Sequence, residues 1–242
     1  YDHIGYGSFG SLYSGEKQVH NGADDNASGV SIMLNLAYSL MLDTNYNYLF
    51  IALSGEEHGL YGSSYYAKNP TINLNNVRFM INFDMVGRLN QENILAINGI
   101  GTSSHWKKLI QDANNYNFDL KTTESGIGPS DHTSFYLSDI PVLHFFTGQH
   151  SEYHKPTDDF ELINFEGLEK ISNGGRTLSL KKEIVPDVQD WDALQQHVAE
   201  TGEFELLHRR VSATAYREKV ALGADVPGVT ERELTKILFR ST

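Results

Sequence analysis

The stretch YNYLFIALSGEEHGLYGS, residues 46–63, contains the most informative local pattern of the chain. Residues 46–53 are apolar and aromatic and are predicted to form a buried strand, and residues 58–68 are predicted to form a helix. Glu56 and Glu57 then follow the carboxyl end of a strand, where open α/β sheets bind ligands. Two adjacent carboxylates at such an edge can divide two tasks, metal binding and proton transfer, or they can be two solvated loop acids.

The composition limits the kinds of function that this chain can have. A formal net charge of -12 argues against binding to nucleic acids or to anionic membranes. No apolar run is long enough to cross a bilayer. The chain has no cysteine, which excludes disulfides, a thiol nucleophile and thiolate metal sites. Any metal must therefore be held by carboxylates and imidazoles.

Strands and helices alternate along the first three quarters of the chain, which predicts an α/β fold with three layers, α/β/α, around a mostly parallel central sheet. A chain of 242 residues is long enough to bury one sizeable core. Besides the stretch at residues 46–68, the pattern predicts strands at 77–83, 93–98 and 140–146 and helices at 30–42, 104–115 and 165–180.

Four candidate metal ligands occupy loops that such a sheet would bring to one edge. Asp25 precedes a predicted helix, where it could equally be an N-cap, and Asp84 follows a predicted strand. Glu57 and His154 lie in two further loops. Together they form a hard set of oxygen and nitrogen ligands, which suits zinc and also allows manganese or cobalt.

Five segments resemble one protein family, in the same order and spacing. They are GADDNASG at 22–29, SGEEHGLYGS at 54–63, NFDMVGR at 82–88, SDHTSF at 130–135 and YHKPTDD at 153–159. Together they are similar to the co-catalytic di-zinc aminopeptidases, the zinc exopeptidases related to glutaminyl cyclases and to the transferrin-receptor ectodomain. The resemblance covers residues 1–182.

The resemblance implies two zinc ions per chain. Asp25 would bridge them, Glu57 and His154 would complete one site, and Asp84 would belong to the other.

The resemblance also implies the catalytic groups of a peptide hydrolase. Glu56 would be the general base that takes a proton from a metal-bridging water. Tyr153 would donate a hydrogen bond to the developing oxyanion, and Asp131 would face the substrate or support a ligand. These roles agree with the chemistry of carboxylates and of a phenol near two cations.

One ligand of the family pattern is absent from this sequence. The family has a histidine immediately before the position of Tyr1, and that histidine binds the same metal as Asp84. Asp2 would orient the missing histidine. By strand alternation, His3 is expected to point away from the vacant position. We therefore expect either a fragment of a longer protein or a form with one incomplete metal site.

The resulting functional hypothesis is a zinc-dependent aminopeptidase, a metallo-exopeptidase that acts on peptides and is secreted or periplasmic by family resemblance. Two alternatives remain open. Asp25, Glu57 and His154 match the single-zinc set of glutaminyl cyclases, and the missing histidine is compatible with a catalytically silent interaction domain.

The composition changes near residue 182, because asparagine is frequent before this point and absent after it. We interpret this change as a domain boundary, with residues 183–242 forming a small C-terminal segment of unknown fold. Within it, a helix is predicted at 190–200 and ends at Gly202. Another is predicted at 231–240, with Thr230 and Glu233 as a capping box.

Overall fold

The computed structural model describes residues 3–7, 9–43, 46–180, 183–188, 190–202, 216, 219–220, 223, 226–227, 229–234 and 239–241. Contacts divide the chain into two units: Tyr1–Leu180 together with Lys236–Thr242, and Lys181–Thr235. The predicted C-terminal segment 183–242 differs from the second unit, because its last seven residues belong to the first unit.

The first unit is built on a five-stranded mixed sheet. Its strands are β1 Met80–Phe83, β2 Ile94–Asn98, β3 Asp119–Thr123, β4 Val142–Phe146 and β7 Phe239–Ser241. They lie in the order β3-β2-β4-β1-β7. Three neighbouring pairs, β1/β4, β1/β7 and β2/β3, are parallel, and β2/β4 is antiparallel.

Helices cover both faces of this sheet, so the predicted three-layer α/β fold is confirmed. On one face Ile81 and Phe83 pack with Leu36 of α1 in the main core, together with residues of α3 and α5. On the other face Met80 and Phe135 belong to a second core cluster that involves α4. The helices of this unit are α1 Gly29–Leu40, α2 Tyr61–Lys68, α3 Trp106–Ala113, α4 His132–Tyr136 and α5 Phe165–Leu180.

The start of α1 lies directly against the carboxyl end of β1. A Cβ atom on Gly29 would lie 2.3 Å from the carbonyl oxygen of Phe83, so a larger residue would force the two elements apart. The Asn26 side chain donates to the Phe83 carbonyl (3.0 Å) and accepts from the Met85 N–H (3.3 Å). These contacts place the loop carrying Asp25 next to the loop carrying Asp84.

The predicted strand at residues 46–53 is wrong. Among these residues only Ala52 makes a bridge. The side chains of Tyr48 and Phe50 pack against the core, but these residues are not part of the sheet. The strand that lies beside β1, opposite β4, is β7, which pairs with β1 in parallel. An apolar run predicts that its residues are buried. A strand also needs a neighbouring strand to which its backbone can hydrogen-bond, and the run does not specify such a neighbour.

The predicted helix at residues 231–240 is also wrong. This stretch contributes to β6 Val229–Leu234 and β7, so Thr230 and Glu233 are strand residues and form no capping box.

Among the residues that the structure describes, the second unit contains an antiparallel pair of strands and the helix α6 (Trp191–Thr201), and Tyr216, Lys219 and Val220 are helical too. Strand β5 (Glu183–Val188) pairs with β6, and Glu183 lies opposite Leu234. The predicted helix at 190–200 is confirmed as α6, Trp191–Thr201. Asp190 caps it by accepting from two backbone N–H groups, and Gly202 ends it. Across the described residues of both units, no helix combines the length and the apolar character of a membrane span.

Candidate metal centre

Two imidazoles contact two carboxylates at the carboxyl-terminal edge of the sheet. His154 Nε2 lies 3.0 Å from Glu57 Oε2 and 3.3 Å from Asp25 Oδ2. His3 Nδ1 lies 3.2 Å from Glu57 Oε1 and 3.8 Å from Asp25 Oδ2. The structure thus brings together three of the four predicted ligands, Asp25, Glu57 and His154, and adds His3.

The backbone fixes which nitrogen of His154 faces the carboxylates. His154 Nδ1 lies 2.7 Å from the carbonyl oxygen of Gly10, which can only accept, so Nδ1 carries the hydrogen. In the neutral ring, Nε2 then presents a lone pair to Asp25 and Glu57. Two carboxylates around a lone pair require a cation, either a proton or a metal ion.

His3 is the site residue that sequence reasoning missed. Strand alternation predicts only that its ring points away from the vacant position of the Asp84 metal, and it assigns the ring no contact elsewhere. His3 precedes a turn at residues 5–7, in which Gly5 has a φ of 57°. The period of two does not apply in a turn. The ring of His3 therefore reaches Glu57 and packs edge-on against His154, with the ring centroids 5.7 Å apart. The glycines in the GYG sequence that follows were the available signal for this turn.

Glu56 and Glu57 are adjacent in sequence but have opposite electrostatic environments. Burial works against the charge of Glu57, but hydrogen bonds from His154 and His3 outweigh it and lower its pKa to about 2. Burial raises the pKa of Glu56 to about 9, and the negative charges of Asp84 and Glu57 add to this. The two glutamates lie in a turn in which the Gly59 and Leu60 N–H groups both donate to the Glu56 carbonyl oxygen.

Asp84 lies beside this group of residues at the end of β1. Its Oδ2 accepts a hydrogen bond from Ser130 Oγ (2.6 Å), which in turn accepts from Asn82 Nδ2 (2.7 Å). Burial raises the pKa of Asp84 to about 8, and the charges of Asp25 and Asp131 contribute. Asp131 is fully buried next to Ser130. The acidic residues therefore share one region, although both Asp84 and His154 are outside the set of His3, Asp25 and Glu57, whose ligand atoms lie within 4.8 Å of one another.

The remaining predicted site residues have different outcomes. The ring of Tyr153 stacks on His154 with the centroids 3.8 Å apart. Burial and the charge of Asp25 raise the pKa of Tyr153 above its usual range, so its hydroxyl keeps its proton. Asp2 lies outside the described residues.

The atoms around Asp25 and Glu57 are of the kind that bind a divalent cation, with His3 facing Oε1 of Glu57 and His154 facing its Oε2. Zinc bonds of about 2.0–2.1 Å to nitrogen and oxygen would separate two tetrahedral ligands by about 3.3–3.4 Å. The distances from the two imidazoles to the two carboxylates, 3.0–3.8 Å, bracket this value. The hydrogen bond from His154 Nδ1 to Gly10 is the type of outer contact that orients a metal-binding imidazole.

A three-layer α/β unit with carboxylates and imidazoles gathered beyond parallel strand ends defines a protein of the zinc-exopeptidase fold class. The chain belongs to peptidase family M28, which matches residues 1–178. The family resemblance deduced from the five segments is thereby confirmed.

Individual relatives agree with this assignment. The chain is 33% identical over 165 residues to aminopeptidase YwaD of Bacillus subtilis, covering 63% of this chain and 36% of the relative. A solved zinc aminopeptidase from Bacillus subtilis superposes with a TM-score of 0.56 at 28% identity, covering 66% of this chain and 42% of that one. A glutaminyl cyclase from Bacteroides thetaiotaomicron shares the fold. It is 20% identical to this chain, with a TM-score of 0.53, and the match covers 69% of this chain and 66% of that one. The chain thus spans well under two thirds of the length of the two aminopeptidases.

Proposed function

We propose that this chain is the catalytic part of a zinc-dependent aminopeptidase that removes N-terminal residues from peptides. The observation that carries the proposal is the centre formed by His3, Asp25, Glu57 and His154, with Glu56 beside it. Membership of peptidase family M28 and the similarity to proteins named aminopeptidases support the same reaction class.

His3, Asp25, Glu57 and His154 would hold one zinc ion. A second ion, as the family resemblance implies, would use Asp84 and share Asp25. When bound, zinc supplies Lewis acidity that polarises a peptide carbonyl and lowers the pKa of water.

Glu56 is the group that moves the proton. Glu56 is next to Glu57 but does not take part in the contacts of Glu57 with the imidazoles of His3 and His154. As general base it takes a proton from the attacking water, and as general acid it passes this proton to the leaving amine. A raised pKa makes the Glu56 carboxylate a stronger base toward water, and positive charge bound among the neighbouring carboxylates would keep Glu56 ionised before the transfer.

Tyr153 would assist at the carbonyl group of the scissile peptide bond, and Asp131 would assist at the N-terminal ammonium group of the substrate. Because its pKa is raised, the Tyr153 hydroxyl stays a hydrogen-bond donor and can stabilise the oxyanion that develops on the carbonyl. Asp131 adds negative charge near Glu56 and Asp84, which suits the free ammonium group of a peptide.

Hydrolysis of leucine anilide by the full chain tests this proposal. Activity should disappear with a chelator and return with zinc. Glu56→Gln should lower kcat by about 10²–10⁴-fold, the usual contribution of a general base. The matched control is Glu124→Gln, which changes an exposed glutamate paired with Lys107. Chelator-resistant hydrolysis, or a Glu56→Gln variant as active as the control, would contradict the proposal.

A single-zinc glutaminyl cyclase is the second candidate. The observation that favours it is that His154 Nε2 lies against both Asp25 and Glu57, the three residues of the predicted single-zinc set. Release of pyroglutamate from a peptide beginning with Gln, without anilide hydrolysis, would establish the cyclase. Absence of both activities and of zinc would indicate a silent interaction domain. Location outside the cytoplasm, secreted or periplasmic, stays a prediction.

A further inference from the structure

We propose that Asp158, Arg88 and His150 are positioning residues. Together with Asp24 and Glu152 they form a closed ring of polar contacts, which we call the loop clamp. The loop clamp holds the three loops that carry the proposed metal ligands together. The three loops are residues 22–26 with Asp25, residues 84–88 with Asp84, and residues 147–159 with His154. No member of the clamp is itself a proposed metal ligand.

Asp158 joins the third loop to the first. Its Oδ2 accepts hydrogen bonds from the backbone N–H groups of Asp24 (2.9 Å) and Asp25 (3.1 Å). The side chain is 1% exposed, and two donors on one buried carboxylate oxygen are strong, charge-assisted hydrogen bonds. The orientation of the peptide that carries the Asp25 carboxylate is therefore set by Asp158.

Arg88 joins the second loop to the third. Its Nη2 donates to Asp158 Oδ1 at 3.2 Å and lies 3.7 Å from Glu152 Oε2. The Arg88 backbone N–H also donates to Thr147 Oγ1 at 3.1 Å. The guanidinium thus compensates the buried charge of Asp158, which would be costly without a partner.

His150 and Asp24 close the ring. His150 Nδ1 lies 3.3 Å from Glu152 Oε2, and His150 Nε2 lies 3.3 Å from Asp24 Oδ2. Asp24 Oδ1 accepts a hydrogen bond from the backbone N–H of Gly87 at 2.6 Å. Because Gly87 is the neighbour of Arg88 in the chain, this contact completes the ring. Asp24 is fully buried, so this carboxylate joins the first and second loops instead of facing solvent.

This arrangement accounts for polar residues of the five segments that the proposed catalysis does not use. Outer contacts that orient metal ligands commonly change metal affinity by about 10–100-fold when they are removed. The clamp acts one step further out, on the backbone of the ligand loops.

Backbone amide exchange in the metal-free full chain tests the clamp directly. In Asp158→Ala the N–H groups of Asp24 and Asp25 should exchange about tenfold faster or more, because they lose a charged acceptor. In Asp158→Asn one oxygen remains to accept both hydrogen bonds, so the exchange rates should stay near those of the wild type. Unchanged exchange of both amides in Asp158→Ala would overturn the inference, whether or not the protein binds zinc.

Zinc affinity, measured by competition with a chelator, is the second readout, and it alone rests on the proposed zinc site. Asp158→Ala and Arg88→Ala should bind zinc about 10–100-fold more weakly, and Asp158→Asn, which keeps the two backbone contacts but not the contact with Arg88, should fall between Asp158→Ala and the wild type. Ile110→Ala, which empties a buried position in α3, is the matched control: it should lower stability and leave zinc affinity unchanged. An equal loss in Ile110→Ala and Arg88→Ala would mean that the clamp is merely structural. If Asp158→Ala does not fold, Arg88→Ala carries the same comparison.

Discussion

Both halves of the candidate site contain aspartate and glutamate carboxylates, and the halves differ in the groups that face those carboxylates. In the imidazole half, Asp25 and Glu57 each contact His3 and His154. In the acidic half, Glu56, Asp84 and Asp131 act on one another through like charges and burial. The pKa of Glu57 falls to about 2 and that of its neighbour Glu56 rises to about 9. Neighbouring groups, and not residue type, therefore distinguish the two glutamates, which supports the proposal that Glu57 binds the metal and Glu56 moves the proton.

The largest expected effect is the loss of a ligand from the imidazole half. Glu57→Ala and His154→Ala should each weaken zinc binding by more than about 100-fold, because even outer contacts account for about 10–100-fold. Zinc content at a fixed free concentration measures this loss, with Glu124→Gln as the control. Zinc retained at wild-type affinity in Glu57→Ala would remove the distinction between the two halves.

A smaller effect is expected from His3→Ala. The His3 ring lies farther from Asp25 than the His154 ring does, at 3.8 Å against 3.3 Å, and no described backbone contact fixes its orientation. We expect zinc affinity to fall by about tenfold, the lower end of the range for contacts that tune a site. The same competition titration measures it. A loss as large as that of His154→Ala would show that both imidazoles contribute equally.

The acidic half predicts a pH-dependent difference in stability between the metal-free wild type and Glu56→Gln. The pKa of Glu56 rises from 4.5 to about 9 on folding, so the native state keeps a proton that the unfolded state loses. The contribution of Glu56 to stability therefore decreases as pH rises through this window. The Tm of Glu56→Gln minus that of the wild type should increase between about pH 4.5 and 9. A difference that does not vary with pH would show that Glu56 has an ordinary pKa.

The smallest expected effect is at an exposed ion pair outside both halves. Lys107 Nζ lies 2.9 Å from Glu124 Oε1, but both side chains are more than 60% exposed. Solvent screens such a pair, so Lys107→Ala should shift Tm by no more than about one or two degrees and leave zinc binding unchanged. A large shift would mean that charge contributes to stability regardless of burial.

Periodic segments with one buried face were predictable from the sequence. Helix α5 begins and ends where the apolar spacing predicts, and α6 lies within one residue of its prediction, because local spacing and end signals decide such elements. Strand β3 was not predicted, since its residues DLKTT are mostly exposed at the sheet edge and carry little apolar pattern. Strand β7 was not predicted either, because its pairing with β1 joins residues far apart in the chain.

The metal ligands of the candidate site were predictable, because aspartate, glutamate and histidine are the residue types that bind zinc in a chain without cysteine. Asp25, Glu57 and His154 could be grouped because they occupy loops that an α/β sheet brings to one edge, although the strand predicted before Glu57 did not form. The position of His3 depends on a turn, and the contact of Arg88 with Asp158 joins residues 70 positions apart. No local pattern encodes such a contact, so it requires the folded chain.

The most direct test of the two-glutamate assignment is to measure zinc content and anilide hydrolysis together in Glu56→Gln and Glu57→Gln. We predict that Glu56→Gln keeps zinc at wild-type affinity and loses hydrolysis, whereas Glu57→Gln loses both. The assignment would be contradicted if Glu56→Gln lost zinc to the same extent as Glu57→Gln, or if it bound zinc and hydrolysed the anilide at the wild-type rate.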